Sequence, residues 1–233
     1  MAVSPSQPLH TVFSPDVYRV GLRWWLGLPL MRESADHPIQ CPGCLKEVDL
    51  FGDHLLCCAR NNYTRRHAAV QDALATVAAE AAQPFAREVP LPNCTDAQLR
   101  PADLLLKVWA TGTDVAVDLT VSHAWQQLER HTSPSQATRE KWRAFLTRKE
   151  RAKRDKYHHP CLSAGWAFAP MAFGTWGGMG PQAAKLFHRL LHRAASWLEG
   201  PLRGRRQEEL KQLVGVALMQ HVWRLLDAKN LLQ

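Results

Sequence analysis

The chain has 233 residues, 46% hydrophobic and 21% charged, which excludes a disordered tail and allows one good-sized domain with an appendage or two small domains. Its formal net charge of +8 favours an anionic partner, nucleic acid being the commonest. No apolar run approaches the ~20 residues of a membrane span, and residues 1–11 lack the pattern of a secretory signal. A reducing intracellular location, nuclear or cytoplasmic, with no membrane partner and no secretion, is therefore expected. There, six cysteines point to metal rather than to disulfides.

In chain order, Ser14-Pro15-Asp16 reads as a helix start leading into residues 17–26, with Gly27 and Pro29 as its end and a polar linker over 32–40. Next comes Cys41-x2-Cys44-x9-His54-x3-Cys58, four ligands at spacings suited to one tetrahedral Zn²⁺. Cys57, adjacent to Cys58, is an alternative fourth ligand. Cys94 and Cys161 lie far from the cluster and read as core residues.

An Ala-rich helix is predicted over 62–82 and a short edge strand over 88–91. Two β-rich runs, 103–109 and 114–121, flank a hairpin loop at 110–113. A basic helix over 136–159 stops at Pro160, followed by a buried strand over 166–173 and a Gly-rich loop. Two amphipathic helices, 182–198 and 207–227, close the chain. The predicted divisions are 1–36 (helix and linker), 37–60 (zinc module), 61–178 (α/β core) and 179–233 (C-terminal helices).

A four-residue hairpin loop sets Trp109 opposite Asp114 and Asp103 near Thr120. Asp103 and Asp118 then become diagonal neighbours on one sheet face, roughly 6–8 Å apart. Two half-buried carboxylates this close call for a proton or a cation between them, and Mg²⁺ or Mn²⁺ is the natural occupant. On the basic helix, Lys149, Lys153 and Lys156 fall within about 40° of the direction of Trp142, while Arg148, Arg151 and Arg154 take the flanks or the back. At least one lysine is thus directed at the carboxylate pair, and the outward arginines suit phosphate contacts.

These residues resemble a known family. Arg100-Pro101-Ala102-Asp103 followed by Asp118 resembles the R/K-P-D…D motif of the restriction-enzyme-like endonucleases at the C-termini of certain non-LTR retrotransposons. The Cys-Cys-His-Cys module around Gly52-Asp53-His54 is similar to the zinc knuckle preceding that motif. Arg65-Arg66-His67, Lys153-x-x-Lys156-Tyr157 and Gly165-Trp166 with Phe168 and Pro170 resemble later segments of the family.

The resemblance implies a PD-(D/E)XK nuclease fold, an αβββαβ core flanked by an N-terminal zinc knuckle and C-terminal helices. It also implies DNA as partner and hydrolysis to a 3′-hydroxyl and a 5′-phosphate. Asp103, Asp118 and the Leu119 carbonyl would hold Mg²⁺ (or Mn²⁺), with Lys153 at the attacking water. Glu88, Lys149, Lys156 and Tyr157 are accessory candidates, and Arg65 and Arg66 join the helix arginines as DNA contacts. Three departures stand out: Ala102 is inserted before Asp103, Thr120 occupies the usual place of the motif lysine, and Gly174 replaces a glutamate. No reverse-transcriptase signature is present, so either a free-standing gene or a fragment of such an element is expected. The alternative is a catalytically inactive, zinc-stabilised nucleic-acid-binding remnant.

Overall fold

The computed structural model describes residues 13–30, 39–58, 60, 63–92, 100–109, 112–123 and 136–227. Helix α1 (Pro15–Trp25) starts where Ser14 caps the Val17 amide and Pro15 occupies the first turn. It ends at Gly27, whose φ of 69° suits a left-handed stop. Most of the predicted 32–40 linker, and Cys94, lie outside the described residues. The short helix α2 (Asp53–Cys57) follows, then α3 (Tyr63–Glu80), β1 (Phe85–Val89), β2 (Ala102–Leu106) and β3 (Val115–Ser122). The chain closes with α4 (Gln136–Ser163), β4 (Ala167–Gly174), α5 (Pro181–Ala194) and α6 (Gly200–Asp227).

The four strands form one mixed sheet in the order β1-β2-β3-β4. The first three are antiparallel neighbours, and α4 crosses over to set β4 parallel to β3. From α3 to β4 the element order is therefore the helix–strand–strand–strand–helix–strand series expected from the sequence.

Strand alternation divides the core in two. Leu104, Leu106, Val117 and Leu119 pack with α1, α3, α5 and α6. Leu105 and Ala116 pack with Tyr157 and Cys161 of α4 and with Phe168. The first cluster runs unbroken from Val17 through Cys41, Cys58 and the sheet to Trp223. The predicted divisions at 36, 60 and 178 thus do not separate independent cores, because α1, the Cys/His module and the C-terminal helices all bury their apolar faces in one place. Gly21 shows how tight that join is: a Cβ there would fall 1.8 Å from the Trp223 ring.

Several boundaries differ from the sequence reading: β1 starts at Phe85 rather than at 88 and α6 at Gly200 rather than at 207, and two further differences have local reasons. Helix α4 runs through Pro160 to Ser163, since a proline in the last turn forfeits one helical hydrogen bond without breaking the helix. The β2–β3 connection is also longer than four residues. Val108 enters the left-handed region at φ 46°, its amide donates to Asp114 Oδ1 at 2.9 Å, and the register becomes Leu104 opposite Val117.

Candidate functional site

The Cys/His module is assembled by local chain geometry. Cys41-Pro42-Gly43-Cys44 forms a tight turn closed by the Leu45 amide on the Cys41 carbonyl at 2.7 Å. The Asp49 carboxylate then accepts from the amides of Phe51, Asp53 and His54, the last at 2.7 Å, and so caps the helical turn that presents His54. The Cys41, Cys44 and Cys58 sulfurs and a His54 ring nitrogen lie within 4.8 Å of one another, a set that could hold zinc. Cys58, not Cys57, completes the set. Burial opposes ionisation of Cys41, but the Cys44 and Gly43 amides and the Cys58 and Cys44 thiols outweigh it and bring its pKa down to about 6. Burial pushes the Cys58 thiol of the same set up, and a bound cation would favour the thiolate form of both.

The carboxylate site is assembled from elements distant in sequence. Continuing the observed register by one residue sets Asp103 directly opposite Asp118 rather than diagonal to it. The shift from the predicted pairing is two residues, so both carboxylates keep the face that was expected. Both are buried. Asp103 Oδ2 accepts from the Leu119 amide at 2.5 Å, and Oδ1 lies 3.3 Å from His67 Nε2. Lys153 Nζ reaches Asp118 Oδ2 at 2.9 Å and Oδ1 at 3.2 Å.

Burial is the main cause pushing the Asp118 carboxyl up to about 6. Lys153 and His67 pull it down, and Asp103 adds to the rise. The hydrogen bond to Asp103 raises the His67 pKa against the opposing effect of burial.

Of the three predicted inward lysines, Lys153 is the one that meets Asp118. Lys149 and Lys156 are exposed on α4; Lys149 lies over Phe145 at 5.4 Å and Lys156 over Tyr157 at 4.7 Å. The buried residue at that level of the helix is Glu150, whose carboxylate accepts from the Gln182 and Ala183 amides at 3.0 and 2.8 Å. It thereby caps the N-terminus of α5, where a carboxylate is favoured. Gly180 is needed beside it, because a Cβ there would fall 2.2 Å from Glu150 Oε1. Tyr157 is buried against Phe168 and Cys161, a packing position.

Among the predicted phosphate contacts, Arg65, Arg148 and Arg151 are exposed and Arg154 is half-buried. Arg66 is a correction. It is 5% exposed, and its guanidinium donates to the Val121 carbonyl at 3.3 Å, so it is withdrawn from the surface. It belongs to a buried polar layer joining the Cys/His module to the end of β3. In that layer His123 Nε2 lies 3.3 Å from Asp53 Oδ1 and His123 Nδ1 lies 2.7 Å from the Thr175 hydroxyl. Burial, reinforced by the Arg66 charge, pushes the His123 pKa down to about 4, so the imidazole is neutral.

Gly174 also finds its reason here. The Trp142 indole covers it, and a Cβ at 174 would fall 2.1 Å from Trp142 Cζ2, which leaves no room for the glutamate of the resembled enzymes.

Two residues at the site, His67 and Gln71, and one structural cap, Glu150, carry no assignable role in the sequence alone. His67 was noticed only as part of a resembling segment, and no local pattern announces a histidine that meets a carboxylate 36 positions later. Gln71, one helical turn on, donates to Glu88 Oε1 and to the Asp103 carbonyl, both at 2.7 Å, and ties α3 to β1 and β2. Glu150, hidden in a run of basic residues, had the signature of a surface acid. Among the described residues, no helix is long and apolar enough to cross a membrane. No protein-family model matches this chain, and no curated protein matches it significantly.

Proposed function

We propose that this chain is a metal-dependent DNA endonuclease with a restriction-endonuclease-like core, stabilised by one structural Zn²⁺ on Cys41, Cys44, His54 and Cys58. The observation that carries the reading is the meeting of Asp103 from β2, Asp118 from β3 and Lys153 from α4, with Lys153 Nζ 2.9 Å from Asp118. Two opposed carboxylates with one lysine, backed by Glu88, leave negative charge in excess, a donor set that fits a hard divalent cation.

Mg²⁺ or Mn²⁺ on Asp103 and Asp118 would polarise a scissile phosphate and lower the pKa of a water. The Leu119 amide faces β2, and since the N–H and C=O of one strand residue face the same neighbour, its carbonyl would face the same side as that ion. The chain's own residues do the remaining work. The Leu119 amide and His67 hold Asp103 in one orientation. Lys153, with a side chain 32% exposed, can leave Asp118 to meet a phosphate oxygen or the attacking water. Arg65, Arg148 and Arg151 supply exposed positive charge for the DNA backbone.

Purified protein should nick or linearise supercoiled plasmid with Mg²⁺ or Mn²⁺ and not with EDTA. Asp118→Ala should reduce cleavage to background while the protein stays folded and still binds DNA. If the wild type binds DNA but cleaves no form of it with either metal, the chain is instead a binding remnant that keeps this core as scaffold.

A further inference from the structure

The side chains around Asp103 extend beyond the Asp103–Asp118–Lys153 set. His67 of α3, Glu88 of β1 and Asp103 of β2 each offer a ligand atom, and these atoms lie within 4.8 Å of one another. Each carboxylate is held in place by a second group. Gln71 Nε2 spends both hydrogens, one on Glu88 Oε1 and one on the Asp103 carbonyl, and the Leu119 amide holds Asp103 Oδ2. Asp103 keeps Oδ1 on the His67 side, and Glu88 keeps Oε2. Outer partners that fix the ligands and leave one donor atom on each are how metal sites are oriented. Glu88 itself sits at φ 50°, although Arg87 and Val89 on either side keep their pairing with β2. Strain at one residue inside an otherwise regular strand marks a position that the surrounding structure holds in place.

We infer that His67, Glu88 and Asp103 form a transition-metal site of their own, sharing Asp103 with the carboxylate pair and favouring Mn²⁺ over Mg²⁺. One imidazole nitrogen with two carboxylates is a borderline donor set. Mg²⁺ prefers oxygen throughout and gives up its waters reluctantly, whereas Mn²⁺ accepts nitrogen and a less regular geometry. The site's existence does not depend on cleavage.

Full-length zinc-loaded protein titrated with Mn²⁺ and examined by pulsed EPR provides the test. The expected result is a nitrogen-14 coupling from directly bound imidazole that persists under a large excess of Mg²⁺. His67→Gln should remove that coupling and weaken Mn²⁺ binding by at least ~10-fold, the scale on which loss of even an outer partner acts. Glu88→Gln changes an exposed residue; it should weaken Mn²⁺ binding while the nitrogen coupling stays. Circular dichroism and zinc content matching the wild type establish that both variants are folded.

Bound Mn²⁺ without nitrogen coupling in the wild type, or coupling that survives His67→Gln, overturns the assignment. Coupling retained in Asp118→Asn supports it whether or not that protein cleaves DNA, so the nuclease reading can fail separately.

Discussion

The molecule carries two clusters of polar side chains built in opposite ways. Cys41, Cys44, His54 and Cys58 lie close together in the chain, and a turn plus one capped helical segment bring them within reach of each other. Asp103, Asp118, Lys153, His67 and Glu88 come from five different elements, and only the packed sheet with α3 and α4 unites them. A metal on a local cluster would tie a short segment together, because such loops have little core of their own. A distributed cluster is held by the fold, and its cost is the burial of like charges.

The largest effect that sharpens this contrast lies in the Cys/His module. Cys41→Ser should lower zinc from one ion per chain to near zero and destabilise the protein by several kcal/mol, a fall in Tm of about 10 °C for a chain of this size. The loss should reach beyond the module, since Cys41 and Cys58 belong to the same core cluster as α1 and α6. Asp103→Asn, in contrast, should leave zinc content and far-ultraviolet dichroism unchanged. A Cys57–Cys58 disulfide, or freshly purified protein without zinc, would break the comparison.

Next comes pH, where the two regions work against each other. His123 has its pKa depressed from 6.5 to about 4, so its contribution to stability is present above 6.5 and lost as pH falls towards 4. Asp118 is raised from 3.8 to about 6, so its contribution is present below 3.8 and lost as pH rises through 6. Each amounts to about 3 kcal/mol, and over the same window they nearly cancel. Denaturation between pH 4 and 6.5, without added Mg²⁺ or Mn²⁺, should therefore show Asp118→Asn gaining stability with rising pH relative to the wild type and His123→Gln losing it. Parallel curves for the two variants would show that neither group titrates as its burial demands.

The smallest effect separates neighbours on one helix. Lys153→Ala should slow cleavage by about 10²-fold, the scale for losing one acid–base or charge-stabilising group. Lys149→Ala should stay within a few-fold of the wild type, because Lys149 lies over Phe145 on an exposed part of α4. If Lys149→Ala abolishes cleavage and Lys153→Ala does not, the working lysine sits one turn away.

Much of this was legible beforehand for definable reasons. Period-2 alternation put Asp103 and Asp118 on one face, and that survived a register error because the error was an even number of residues. Helical spacing brought Lys153 inward but could not choose it from Lys149 and Lys156, since all three share a direction within the width of one face. Arg66 was misread because a guanidinium at a helix start looks the same in sequence whether it faces solvent or a strand carbonyl.

By itself, the sequence determined what depends on neighbours in the chain: the ligand spacing of the Cys/His module, the Ser14–Pro15 helix start, the strand faces and the order of elements from α3 to β4. Only the tertiary structure decided what depends on which elements meet. It left Cys57 outside the set that Cys58 completes, set Lys153, the lysine that the resemblance already favoured, against Asp118, brought His67 and Gln71 to Asp103, turned Glu150 into the cap of α5, and merged the two ends of the chain into one core. The physical reason is range. Backbone geometry carries side-chain direction over one or two turns, whereas contact between residues tens of positions apart is set by how apolar faces are shared.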